Sequence, residues 1–163
     1  MKKTLIALFL VLTITSLFTV SAFADEAELK VTSSTEYIPL PDGGYIVVVL
    51  NGGSAEAAPG GNRSYTVNDS KSVMRYNADN DLIWQYTLYG TFSVEYGVSA
   101  VCTNATYSTV SNSSFWTFSD CSATASGNTA YGAGTVKDKF LFITLETVII
   151  DIHLTCDIYG HTS

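Results

Sequence analysis

Trp84-Gln85-Tyr86-Thr87-Leu88-Tyr89-Gly90-Thr91-Phe92-Ser93-Val94-Glu95 decides the fold class. Trp84, Tyr86, Leu88, Phe92 and Val94 fall on one face of an extended chain. Gln85, Thr87, Thr91, Ser93 and Glu95 fall on the other. A period of two sustained over this stretch is that of a strand buried on one side. Gly90 interrupts the apolar series, which predicts a bulge or a close neighbour at that point.

The flanks extend the pattern. Upstream, Ser70–Tyr76 reads as a strand and Asn77-Ala78-Asp79-Asn80-Asp81 as a turn. Downstream, Tyr96-Gly97 turns the chain into a strand over 99–110. Asn112-Ser113-Ser114 is a loop before a strand over 115–125. Ser126-Gly127-Asn128 is a hairpin turn into a strand over 129–139. The last strand, 144–156, points Val148, Ile150, Ile152 and Leu154 inward, with Thr147, Asp151, His153 and Thr155 opposite. Nearer the N-terminus, Tyr37-Ile38-Pro39-Leu40-Pro41 is an edge segment, because proline cannot donate to a ladder. Asp42-Gly43-Gly44 turns it into a short strand, Ile46–Leu50. Residues 25–36 read as an exposed N-terminus. Residues 51–62, with Gly52, Gly53, Pro59, Gly60 and Gly61, read as a flexible linker. Short strands with short turns, and no long helical period, predict an all-β chain. The expected architecture is an antiparallel two-layer β-sandwich, immunoglobulin-like, with a small β-barrel as the alternative. The expected divisions are a leader (1–24), an N-terminal strand segment with linker (25–62) and a β-sandwich domain (63–163).

Met1-Lys2-Lys3, an apolar run from Leu5 to Val20, and Ala22-Phe23-Ala24 have the layout of a secretory signal peptide cleaved after Ala24. The apolar run falls short of the roughly 20 residues needed to span a bilayer. The expected product is secreted, with no membrane span after cleavage. Lys2 and Lys3 leave with the leader, so 6 of the 8 basic residues face 15 acidic ones, a formal charge of −9. Nucleic acid and anionic lipid both require a basic face, so the overall charge argues against them as partners.

Tyr76-Asn77-Ala78-Asp79-Asn80-Asp81-Leu82-Ile83-Trp84, Gly90-Thr91-Phe92, Val101-Cys102-Thr103, Ser126-Gly127-Asn128-Thr129-Ala130 and Leu154-Thr155-Cys156-Asp157 follow in order. They are preceded by Tyr37-Ile38-Pro39-Leu40-Pro41-Asp42-Gly43-Gly44-Tyr45. This series resembles a family of small secreted proteins from Gram-positive, clostridia-type bacteria, a domain of unknown function. The resemblance implies export and a β-rich fold, and it carries over no catalytic residue. Its cysteine pair matches Cys102 and Cys156, with Cys121 an addition.

Three disulfide pairings are open among Cys102, Cys121 and Cys156, and export would permit one. Strand phase favours Cys102–Cys156, since Cys156 continues the inward series of the last strand. That leaves Cys121 as a free thiol. The alternative is three reduced side chains. Spacings of 19 and 35 residues lack the paired pattern of a metal site.

Candidate chemistry is sparse. Asn77, Asp79 and Asp81 match positions 1, 3 and 5 of a calcium loop. Leu82 and Leu88 stand where glycine and glutamate are required, so an Asx-rich turn is the expectation. Asp151, His153 and Asp157 share a strand face, but no nucleophile motif accompanies them, and a solvated face is expected. The sequons at Asn62, Asn68, Asn104 and Asn112 carry little weight, because the resemblance implies a bacterial source, where such sites are usually unmodified. In Phe115-Trp116-Thr117-Phe118, Trp116 and Phe118 share a face. If exposed together with Tyr131, they would form a stacking surface for sugar rings; otherwise they fill the sandwich. The expected function is therefore a non-catalytic extracellular binding module, with no cofactor, directed to a cell-envelope glycan or a protein. The alternative is a secreted antimicrobial or toxin-like effector, and a hydrolase with an unrecognised site is the third reading.

Overall fold

The computed structural model describes residues 33–57, 64–141 and 143–163. The leader, residues 25–32 of the expected N-terminal segment and residues 58–62 of the expected linker lie outside the described residues. Strands β1 (Ser34–Pro39), β2 (Tyr45–Leu50), β3 (Ser54–Ala57), β4 (Ser64–Tyr76), β5 (Leu82–Glu95) and β6 (Ser99–Ser111) form one antiparallel sheet. Its order is β1-β2-β4-β5-β6, with β3 also on β4. Strands β7 (Trp116–Ser126), β8 (Thr129–Phe140) and β9 (Ile143–Thr155) form the second sheet, in chain order. The protein is an all-β, two-layer antiparallel sandwich and is not closed into a barrel. Immunoglobulin domains wind their sheets through Greek-key connections, whereas each sheet here follows the order of the chain.

The period of two in β5 becomes the floor of the core. Trp84, Tyr86, Leu88, Phe92 and Val94 are all fully buried. The second sheet covers them with Ala130, Val136, Ile150 and Leu154. Gly90 meets both expectations at once. A Cβ there would stand 2.7 Å from the Phe92 ring, and the β5–β6 register shifts between Thr91 and Phe92. On β8 the inward positions Ala130, Gly132 and Gly134 are small, and this admits a large neighbour. The Tyr86 hydroxyl passes beside Gly132 and donates to the Ser122 carbonyl at 2.8 Å.

The segment before the glycine-rich stretch is integral to the larger sheet rather than separate from it. β2 pairs with residues 71–76 of β4, and β3 pairs with residues 65–68 of the same edge. Arg75 fastens this side. Its buried guanidinium bonds Asp42 at 2.7 Å and Glu146 of β9 at 2.6 Å, and stands 4.6 Å above the Trp116 ring.

The end of the chain, through His161, is also ordered. Thr155 and Ser163 exchange backbone hydrogen bonds. The Asp157 carboxylate accepts from the Tyr159 and His161 amides, at 2.8 and 2.9 Å, and pairs with His161 Nδ1 at 3.0 Å. The Tyr65 hydroxyl donates to the Tyr159 carbonyl, and Thr162 donates to the buried Asp69. Short polar residues can build a tight turn through their own side chains, which periodicity does not reveal.

Candidate binding face

The alternation that turns one side of β4, β5 and β6 toward the second sheet puts the opposite positions on the outer face, where Ser72 and Thr87 are nonetheless buried at 3% exposure each. The register aligns these into three rungs: Ser72–Thr87–Ser108, Ser70–Tyr89–Thr106 and Asn68–Thr91–Asn104. All nine side chains are uncharged, and eight are hydroxyls or amides with short reach. They are held by one another. Ser72 and Thr87 hydroxyls lie 3.0 Å apart, Gln85 donates to Thr87 at 2.8 Å, and Thr91 donates to Asn68 at 2.9 Å. Tyr89, 43% exposed, places its hydroxyl 3.3 Å from that of Ser108.

A shallow groove of about 470 Å³ opens on this face, where Gly52, Asn68, Ser70, Tyr89, Thr91 and Thr106 meet. Its origin is local. Between β2 and β3 the chain jogs along the edge of β4, and Gly53 packs so tightly that a Cβ would lie 2.7 Å from the Asn68 carbonyl. Asp69 also borders the groove, but its carboxylate is engaged by the Ser70 amide and the Thr162 hydroxyl. The groove thus offers donors, acceptors and one aromatic ring, with no cation in its lining. That suits an uncharged polyol, whose hydroxyls bond the amides and whose apolar ring face lies on tyrosine. It does not suit phosphate, which needs cations.

The expected stacking surface is corrected at two of its three positions. Trp116 is buried 6.3 Å from Trp84, and Phe118 packs edge-on against Trp84 at 6.1 Å. Both rings fill the sandwich because that face of β7 lies over the Trp84 row. Tyr131 alone is outward, opposite His153 on the smaller sheet.

The expected Cys102–Cys156 bridge is not formed; Cys102, Cys121 and Cys156 are thiols. The Cys102 thiol donates to the Asn104 carbonyl at 3.3 Å and that of Cys156 to the Asp157 carbonyl at 3.5 Å, so each is satisfied by a carbonyl close by in the chain. Their amides clamp the β7–β8 turn, bonding the carbonyls of Gly127 and Asn128 respectively. Burial pushes all three thiols up. For Cys156, burial together with the negative charges of Asp157 and Asp69 raises it to about 12. Such a thiol stays protonated at neutral pH and is a poor nucleophile.

The carboxylate–histidine cluster is not assembled. Asp151 and His153 stand exposed on β9, while Asp157 turns to His161. Asn77 closes an Asx turn by accepting from the Asp79 and Asp81 amides at 3.0 and 2.8 Å. Among the described residues no group of three His, Cys, Asp or Glu side chains is placed to hold a metal ion. Sequence reasoning placed Thr87 and Thr91 outward but did not see the groove, because the rungs depend on the register of three strands. Comparison of the chain with protein-family models, with curated proteins and with solved structures finds no match.

Proposed function

We propose that this protein is an exported, non-catalytic binding module that holds uncharged glycan of the cell envelope on the outer face of its larger sheet. The observation that carries the reading is the groove beside Tyr89, walled by Asn68, Ser70, Thr91 and Thr106, with no cation in its lining and its one carboxylate, Asp69, already hydrogen-bonded. The leader-like sequence at residues 1–24 supports export. The mutual hydrogen bonds of the rungs support binding without reorganisation, which favours affinity.

The test is retention of the purified chain on insoluble cell-wall polysaccharide and on arrays of neutral oligosaccharides. Wild type is expected to be retained and to elute with free sugar. Tyr89→Ala is expected to weaken retention on the order of tenfold, the loss of one stacking ring. Asn68→Ala should weaken it less. No retention on any glycan, or full retention by Tyr89→Ala, overturns the reading.

A further inference from the structure

We propose that the outer edge of β6 is a dimerisation surface, on which a second copy of this chain adds its own β6 antiparallel and joins the two larger sheets into one. The observation is a stretch of edge strand with nothing to discourage pairing. β6 is the last strand of its sheet, and over 105–111 it pairs with β5 in unbroken register on one side only. Thr106 through Ser111 are exposed in succession, on both faces of the strand. Among the described residues no group bonds the outer side of this main chain, whereas nearer the start of the strand the Cys102 amide is taken by the Gly127 carbonyl. A row of unpaired amides and carbonyls is a template for another strand.

The other outer strands of the two sheets are each defended. β1 carries Glu36 and Pro39, and β3 is only four residues long. β7 bends at a bulge between Ser119 and Ser122, with Asp120 at a positive φ of 53°. β9 carries Glu146 and Asp151, and its last residue, Thr155, is bonded to Ser163. Short length, bulges, proline and charge are the devices that keep sheet edges apart. Ala105-Thr106-Tyr107-Ser108-Thr109-Val110-Ser111 has none of them.

The chemistry of the stretch selects a copy of itself. An added foreign peptide is chosen by charge or by pockets for its alternate side chains. This stretch has no charge, and its one aromatic side chain, Tyr107, is stacked on Tyr86 at 5.7 Å. A two-fold axis through the midpoint, Ser108, matches the stretch to itself over its whole length. It sets Tyr107 opposite Thr109 of the second copy and Thr106 opposite Val110 of the second copy. Aromatic and β-branched side chains facing β-branched ones are favoured cross-strand pairs. No like charges meet along the paired strands, although the chain as a whole is acidic. The patch is the same on both copies, as a closed dimer requires. The axis stands perpendicular to the sheet, so both outer faces, each with its groove, lie on the same side.

The experiment is sedimentation equilibrium of the purified chain over a range of concentrations, with a thiol reductant present and no glycan, so that it stands or fails apart from the glycan reading. Wild type is expected to dimerise, and its amides over 105–111 to gain protection from hydrogen exchange as concentration rises. S108K with V110K sets lysines against lysines on one face of the join and should raise the dimer dissociation constant on the order of 100-fold, the cost of facing like charges. I149K, at an exposed position on β9, is the matched control and should dimerise as wild type. Thermal melts check that the variants fold, and the exchange pattern of wild type decides by itself where one does not. A monomer at every concentration overturns the proposal, as does a dimer that S108K/V110K leaves intact. A dimer lost in I149K, or protected on a strand other than β6, also overturns it and places the contact elsewhere.

Discussion

Replacing Arg75 by methionine and by alanine separates the two ways in which this buried cation holds the sandwich together. Its side chain is 8% exposed, but its partners Asp42 and Glu146 are 56% and 43% exposed. Solvent screens both ion pairs, so each is worth below about 1 kcal/mol. The stem packs in the interior, where a buried methylene contributes about 0.8 kcal/mol. The guanidinium over Trp116 adds about 1–2 kcal/mol when desolvated. Packing therefore outweighs pairing. Arg75→Ala should cost about 3–4 kcal/mol, with no buried charge left behind because both carboxylates can hydrate. Arg75→Met, which keeps the stem against the ring, should cost about 1–2 kcal/mol. Asp42→Asn and Glu146→Gln alone should each cost below about 1 kcal/mol. Made together they leave the guanidinium buried without a carboxylate, and the cost should rise to about 3–5 kcal/mol, well beyond additivity. Urea unfolding followed by circular dichroism reads all five variants. Equal costs for Arg75→Met and Arg75→Ala, or a loss erased by high salt, would refute the argument and make the ion pairs the dominant bond.

Gly90→Ala should destabilise by about 1–3 kcal/mol, because the new methyl meets the fully buried Phe92 ring, which has nowhere to retreat; a stabilised Gly90→Ala in the same urea assay would contradict that packing. Burial opposes ionisation of Asp157, but hydrogen bonds from the His161 amide and ring and the Tyr159 amide outweigh it and hold the carboxyl below its ordinary 3.8. Asp42 is held low chiefly by the Gly44 amide, and then by Arg75. A depressed carboxyl stabilises the fold above the unfolded value, and that stability is lost as pH falls through the folded value. Asp157→Asn should accordingly be less stable than wild type at neutral pH and converge with it in acid; a gap that persists below the folded value rules the linkage out. The native protein should react slowly with a disulfide reagent at mildly alkaline pH, Cys121 first because it is only half buried, and should release three equivalents when unfolded. Rapid reaction of Cys156 in the native state would count against its burial.

Much of the architecture is legible because β5 alternates without ambiguity, and its turns carry their own chemistry. Asn77–Asp81, Gly97 and Gly127 each mark a reversal, and each adopts the geometry its residues favour. The limits are equally physical. Trp116 and Phe118 can face either way in an isolated strand; only the packing of β7 over Trp84 decides. The glycine-rich stretch separates β2 from β4 in sequence, yet the two pair in space, since loop closure costs little per added residue. The binding face is the hardest to see. Its residues are ordinary strand serines, threonines and asparagines, and only the register across β4, β5 and β6 turns them into rows.

The chain-ordered connectivity has a consequence for how the molecule is made. Every ladder joins strands that are consecutive or, for β2 and β4, one apart. Hairpins can therefore close as each new strand becomes available, with short searches through conformational space. Until β7 to β9 are made, the larger sheet can complete its pairing, because all its ladders lie within residues 34–111. In that interval the row from Trp84 to Val94 has no cover. The second sheet then arrives as one cooperative meander, which makes the stretch from Trp116 onward the timekeeper of assembly, and the interval before it the period of greatest exposure to aggregation or capture by a chaperone.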